Sequence, residues 1–143
     1  MPVKPPDRLP GIGKQAFALR GILPECSIHL RSNTLTAVAH IQPAPACRRY
    51  RVQLQYDYGG TPEVRVLAPE LRLHHSATKL PHIYPGDFLC LHLANQWQPT
   101  MLLANTTVPW TSEWLYYYEI WLVTGQWHGG GNDPVHAEPT ANP

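Results

Sequence analysis

The sequence has little net charge, no long apolar run and no closely spaced cysteines. Lys and Arg number 11 against 10 Asp and Glu in 143 residues, which leaves a formal net charge of +1. A nearly neutral chain offers no electrostatic reason to bind nucleic acid or an anionic membrane. No apolar stretch approaches the roughly 20 residues of a transmembrane helix, and the N-terminal residues lack the apolar core of a signal peptide. We therefore expect no nucleic-acid partner and no membrane partner.

The three cysteines, Cys26, Cys47 and Cys90, are far apart in the chain. No CxxC pair is present, which argues against a zinc ribbon and against a thioredoxin-type site. An odd number leaves at least one thiol free or available to another chain, and the reducing cytoplasm is the simplest compartment for it. The sequence also lacks a Gly-rich nucleotide-binding loop, so we expect no cofactor.

Proline, by contrast, is abundant, with 16 residues that argue against long helices in the first two thirds of the chain. The length fits one domain, which we place at 1–128 with a Pro-rich N-terminal segment at 1–13. The Gly- and Pro-rich composition of 129–143 predicts a flexible tail.

The first half of the chain predicts a short helix followed by an antiparallel meander. The helix is expected over 14–23, with Phe17 and either Ala16 or Leu19 directed inwards. Alternating apolar and polar residues predict strands over 27–42, with a turn at Ser32 and Asn33, and over 47–58 and 63–67. In the strand predicted over 47–58, the inward positions are Tyr50, Val52, Leu54 and Tyr56.

The second half predicts an irregular segment and then a helix over 110–124. Pro109 suits the helix start, Glu113 is expected in the first turn, and Gly125 suits the end. The aromatic residues at helical spacing are most simply core residues. They are Trp110, Trp114, Tyr117 or Tyr118, and Trp121. Strands followed by a helix indicate an α+β domain.

Cys90 lies between two leucines, a setting in which a free cysteine is most often part of a core. Two neighbours favour a reactive thiol instead. The turn formers at 85–87 place Cys90 at the end of an element, and His92 projects to the same face if this segment is extended. A nearby imidazole can hold a thiolate or take a proton from an attacking amine.

The histidines nearby also allow a metal-assisted hydrolase as an alternative. His74, His75, His82 and His92, together with Cys90, are residue types that zinc accepts, but they follow no recognised ligand spacing. We therefore expect no metal.

In order and spacing, residues 50–99 resemble the ubiquitin-conjugating enzymes. That family has a meander, a His-Pro-Asn stretch, a Gly-x-x-Cys-Leu segment and Trp-x-Pro. The corresponding residues here are Tyr58, Pro62, Val64, His82, Gly86, Cys90, Leu91, Trp97 and Pro99. The resemblance implies a ubiquitin-conjugating-like fold in which Cys90 is the catalytic cysteine.

The segment VPWTSEWLYYYEIWLVTGQWHGGG resembles bacterial members of this superfamily from antiphage systems of the CBASS type. The resemblance implies that the chain carries the C-terminus of a partner protein as a thioester. That partner is a cGAS-like nucleotidyltransferase (CD-NTase), which makes cyclic oligonucleotides, and some systems also use an activating enzyme. These roles are expectations from the family.

The chain departs from the family where His-Pro-Asn is replaced by His82, Ile83 and Tyr84. The family's asparagine supports the oxyanion, so the Tyr84 hydroxyl or a backbone amide near Cys90 is the candidate substitute. His92 is the candidate base for an incoming amine. The missing asparagine also leaves open a binding or regulatory module on the same fold, with Cys90 idle and the Trp-rich helix as a docking surface.

Overall fold

The computed structural model describes residues 8–92 and 95–130. Its elements in chain order are helix α1 (Ile12–Ile22), strands β1 (Ser27–Arg31), β2 (Thr34–Ile41), β3 (Tyr50–Asp57), β4 (Glu63–Ala68), β5 (Ile83–Tyr84) and β6 (Phe88–Leu89), and helix α2 (Thr107–Thr124). A 3-10 turn at Leu103–Asn105 precedes α2.

The first four strands form one antiparallel sheet in the order β1-β2-β3-β4, and β5 and β6 form a separate hairpin. The predicted turn at Ser32 and Asn33 joins β1 to β2, with Arg31 opposite Thr34. The predicted α+β class is confirmed, and the antiparallel sheet followed by a long helix is consistent with a ubiquitin-conjugating-like fold.

The central strands of the sheet bury every second side chain, as their alternation predicted. β2 and β3 pair in antiparallel register, with Leu35 opposite Tyr56. Both of these side chains are fully buried. The inward positions of β3 are the predicted ones, Tyr50, Val52, Leu54 and Tyr56.

Helix α1 packs a different face on the core from the one that the sequence predicted. Ala16 and Leu19 are buried as expected, but Phe17 is 81% exposed. The prediction for Phe17 is wrong because the inward row, at a spacing of three and four residues, runs through Gln15, Ala16 and Leu19. A fully buried glutamine thus occupies a position where the sequence suggested a large apolar side chain.

Gln15 ties α1 to the segment that leads into α2. Its Nε2 donates a hydrogen bond to the Met101 carbonyl at 2.9 Å, and its Oε1 accepts one from the Leu103 N–H at 2.8 Å. Both backbone groups belong to the segment that leads through the 3-10 turn into α2. The Gln15 amide therefore helps to fix the start of α2 relative to α1.

Helix α2 begins at Thr107, three residues before the predicted start. Pro109 is the third helical residue, where a missing N–H costs little. Glu113 accordingly lies in the second turn, so the prediction that it lies in the first turn is wrong. Gly125 ends the helix as predicted, with a left-handed φ of 76°.

The aromatic residues of α2 divide between two environments. Trp114, Tyr118 and Trp121 are buried in the core, whereas Trp110 and Tyr117 are partly exposed. The prediction of a core stripe thus holds for one row of the helix, and the other row faces the site described below. In the described part of the chain, neither helix has the length and apolar character to cross a bilayer.

Replacing Gln15 with methionine tests its clamping role. The change keeps the size of the side chain but leaves the Met101 carbonyl and the Leu103 N–H without their partner. We expect the free energy of unfolding to fall by about 2–4 kcal/mol, as two buried polar groups lose a hydrogen bond. Urea denaturation followed by far-ultraviolet circular dichroism measures it. The exposed Gln98→Met is the control, and equal stability of the two variants would contradict this role.

Candidate active site

A short hairpin delivers Cys90 to the surface. β5 and β6 pair with Ile83 opposite Leu89, and residues 85–87 form the turn between them. Gly86 has φ +87°, and a Cβ there would lie 3.0 Å from the Phe88 ring, so the turn requires glycine. Cys90 follows β6 directly, which confirms the turn that the sequence predicted before it.

The carbonyl oxygen of His82 connects this hairpin to α2. It accepts hydrogen bonds from the Cys90 N–H at 2.9 Å and from the Trp114 Nε1–H at 3.1 Å. His82 itself adopts the left-handed φ of 51°, which is unusual for a residue with a side chain. Because the Cys90 amide already donates to His82, that amide is committed to the backbone in this structure.

Tyr84 and Cys90 interact through their side chains. A side-chain hydrogen bond with Cys90, then burial, and then the negative charge of the thiolate raise the pKa of Tyr84 to about 12. The phenol therefore keeps its proton at neutral pH. Tyr84 is nonetheless 43% exposed, so solvent reaches it.

His92 lies beside Cys90 but not on the same strand. β6 ends at Leu89, so the period-two rule does not place the side chains of Cys90 and His92 on one face. The His92 carbonyl oxygen lies 3.9 Å from Cys90 Sγ, and its ring lies 5.1 Å from the Trp110 ring, centre to centre. His92 and Cys90 therefore share a cleft, with the imidazole against the helix.

That cleft has a volume of about 280 Å³. Four of the residues that line it belong to one face of α2, since residues three or four apart in a helix share a face. Its lining residues are His82, Cys90, Leu91, His92, Gln96, Trp110, Glu113, Trp114, Tyr117, Trp127, Gly129 and Gly130. Among the described residues that line the cleft, Glu113 is the one carboxylate and none is Lys or Arg, so the charge that they contribute favours a cation.

The sequence predicted Cys90, His82 and His92 in this cleft region but missed two contributors. Trp127 stacks on the His82 ring, with 4.8 Å between ring centres and 24° between planes. From the sequence, Glu113 was expected in the helix and was given no role in the site. The spacing of Trp110, Glu113 and Tyr117 is a helical signal for a shared face, whereas no local pattern marks Trp127.

The surroundings of the other two thiols, Cys26 and Cys47, favour a reactive thiol less than those of Cys90 do. Burial, and then the negative charge of Glu119, raise the pKa of the Cys47 thiol and so disfavour its thiolate. Cys26 lines a small apolar space of about 20 Å³ between α1 and the sheet. None of the three cysteines, all in the described part of the chain, forms a disulfide, and of the three Cys90 alone lines the aromatic cleft.

The histidines weighed as metal ligands lie in two separate groups. His74 and His75 contact each other near the end of α2, whereas His82 and His92 lie around the cleft. Within residues 8–92 and 95–130, no three His, Cys, Asp or Glu side chains converge as the ligands of one metal ion would.

Comparison with known proteins gives one family match. The model of the type II CBASS E2 protein family matches residues 15–134. The match spans most of α1, the whole sheet, the hairpin that carries Cys90, and α2. No curated relative matches the chain.

Replacing Cys90 with alanine tests the bond between Tyr84 and the thiol. The change removes both the hydrogen-bond partner and the thiolate charge, so the pKa of Tyr84 should fall from about 12 towards 10. Between pH 9 and 11 the phenol then ionises in the variant and stays protonated in the parent. NMR of ¹³Cζ-labelled tyrosine measures this, with Tyr84→Phe for assignment. Cys47→Ala is the control, and an unshifted Tyr84 titration in Cys90→Ala would contradict the bond.

Proposed function

Because the chain belongs to the type II CBASS E2 protein family, we propose that it is a thioester-forming acyl transferase with Cys90 as its nucleophile. The family gives it an E2-like role in an antiviral system and protein partners within that system. The observation that carries the proposal is the position of Cys90, which is partly buried, directly follows the hairpin and lines the aromatic cleft.

The surroundings of Cys90 suit a nucleophile better than a core residue. Its side chain is only partly buried, it lines the cleft, and a protonated phenol stands beside the sulfur. A thiolate is the reactive form of cysteine, and the side chain that interacts with it here carries a hydroxyl. The same hydroxyl is placed to donate to an oxyanion that forms next to the sulfur. Tyr84 thus takes the role that asparagine has in the related enzymes.

The first step transfers an activated acyl group to the thiol. The Cys90 thiolate attacks the C-terminal carbonyl carbon of a partner protein, a C–S bond forms, and the group that activated the carboxylate leaves. A free carboxylate is too poor an acceptor, so the donor arrives as a thioester or a mixed anhydride made by an activating enzyme. Covalent catalysis of this kind divides one difficult transfer into two easier ones.

The second step discharges the thioester to an amine. The amine nitrogen attacks the carbonyl carbon, the C–N bond forms, the C–S bond breaks, and the thiolate of Cys90 is restored. His92 takes the proton that the amine loses. Glu113 supports this acceptor class, since its carboxylate attracts an ammonium group to the cleft, and that group loses one proton to solvent before the neutral amine attacks.

The donor follows from the family resemblance. It is the C-terminus of a cGAS-like nucleotidyltransferase that makes cyclic oligonucleotide signals in antiphage defence. We place the reaction in the cytoplasm, where thiols remain reduced.

The absence of the asparagine favours a second candidate, a binding or regulatory module on the same fold. In that case the partner binds at the cleft and along the aromatic face of α2, and Cys90 takes no part. The two candidates differ in what happens when the thiol is removed.

Co-expression with the neighbouring genes tests the role of Cys90. Intact-mass spectrometry of the parent chain should show an adduct with the partner that a thiol reductant or hydroxylamine releases. Cys90→Ala should lose the adduct completely, because no other thiol lines the cleft, whereas Cys26→Ala should keep it. An undiminished adduct on Cys90→Ala would refute the thioester. Full partner binding and full defence in cells expressing Cys90→Ala would establish the binding module instead.

Tyr84→Phe and His92→Ala should affect different steps. With a synthetic peptide glycyl thioester as the activated donor, Tyr84→Phe should slow loading by about 10–100-fold, since a hydrogen bond to a charged group is lost. His92→Ala should load at the parent rate and discharge to free lysine about 100-fold more slowly, as loss of a general base requires. Rapid-quench measurements of each step decide this. Unchanged rates in both variants would remove both residues from the mechanism.

A further inference from the structure

The chain folds back over its own cleft after α2 ends. Gly125 reverses the backbone, and the Thr124 hydroxyl then accepts a hydrogen bond from the Gln126 N–H at 3.0 Å. The reversal brings Trp127 onto the His82 ring, where the two stack at 4.8 Å. Trp127 also lies 5.5 Å from the Trp114 ring, centre to centre. The segment 127–130 is therefore held against the wall of the Cys90 cleft.

Gly129 lies in a corner that excludes a side chain. A Cβ at this position would lie 2.8 Å from Trp127 Nε1 and 3.0 Å from Tyr117 Cδ2. Both neighbours are rings and not the ends of flexible side chains, and the Tyr117 ring belongs to a helix. Any residue other than glycine must displace the segment from the corner. The corner thus accepts a bare main chain in contact with two aromatic rings.

Within the described part of the chain, one hydrogen bond reaches these two glycines. The Trp127 Nε1–H donates a long hydrogen bond of 3.3 Å to the Gly130 carbonyl. Gly129 and Gly130 are both exposed on their outer side. They line the same cleft as Cys90. A segment held by ring contacts and one long bond opens at small free-energy cost, as local unfolding of chain termini commonly does.

We propose that residues 128–130, which follow the stacked Trp127, form a displaceable strap over the Cys90 cleft, and that an incoming acyl donor must move it to reach the thiol. The strap presents a glycine main chain to Trp127 and Tyr117, so it competes for the surface on which the last residues of an extended donor tail lie. The part of this inference that concerns the donor rests on the proposed function. The part that concerns coverage of Cys90 by the strap is independent of the proposed function.

The strap controls access to the sulfur and leaves the side chains around it unchanged. Displacement exposes the thiol without moving Tyr84, which belongs to the hairpin and not to the segment after α2. A donor with a small, flexible C-terminus therefore replaces the strap more readily than one with a bulky terminal residue.

Gly129→Ala in the full-length protein tests occlusion directly. We expect fluorescein maleimide to modify Cys90 about three- to tenfold faster than in the parent chain, because the added Cβ expels the strap and its hydrogen bond. Peptide mass spectrometry assigns the rate to Cys90. Gly13→Ala is the matched control, since a Cβ there meets nothing within 4 Å. Unchanged rates at Cys26 and Cys47 show that the fold is intact.

A rate at Cys90 in Gly129→Ala that equals or falls below the parent rate would overturn the strap. Loading from a synthetic peptide glycyl thioester, measured on the same proteins, separates the two proposals. Faster maleimide modification without loading of any variant supports the strap and refutes the transferase. Loading at the parent rate with unchanged maleimide modification supports the transferase and refutes the strap.

Discussion

The site depends on one carbonyl oxygen, that of His82. It accepts one hydrogen bond from the Cys90 N–H and another from the indole of Trp114. These bonds fix the hairpin to α2, so Cys90 and the helical wall of the cleft keep one relative position. His82 must adopt a left-handed conformation to aim the oxygen this way, at a cost of about 1–2 kcal/mol. Two buried hydrogen bonds, each contributing about 1 kcal/mol, offset that cost.

Helix α2 serves the core and the site at once. One row of its aromatic side chains packs against the sheet, where Tyr118 meets Tyr50 edge to face. The next row, with Trp110 and Tyr117, walls the cleft. A change that rotates the helix in the core therefore changes the cleft as well, and Gln15 limits such rotation through the segment before the helix. Stability and access to Cys90 are coupled through this helix.

An element can be predicted from the sequence when residues close together in the chain determine it, and not when residues distant in the chain do. β3 was predicted residue by residue, because alternation is a local property of the strand. The start of α2 and the exposure of Phe17 were not predicted, because contacts with residues distant in the sequence determine them. The Gln15 amide bonds 86 and 88 residues away in the chain.

The candidate site shows the same division. Family resemblance led to Cys90, and the turn formers before it indicated that the residue is presented at the end of an element. The contact between Tyr84 and Cys90 depends on hairpin register, and Trp127 reaches His82 only after the chain reverses at Gly125. Neither contact leaves a periodic pattern in the sequence from which it could be predicted. The predicted tail begins at Gly129, of which the structure describes Gly129 and Gly130; residues 131–143 lie outside the described part.

The size of the cleft has a consequence for how a partner is held. At about 280 Å³ it is at the lower limit of small-molecule pockets. If the cleft receives the C-terminus of a partner, as proposed, it has room for only the last few residues, and these bind weakly by themselves. Affinity would then reside in a second contact elsewhere on the two proteins, with the C-terminus tethered to it. The length of that tether would set the effective concentration at the thiol, commonly in the millimolar range for a short flexible linker. The proposed function therefore predicts that donors are selected partly by the length of this tether.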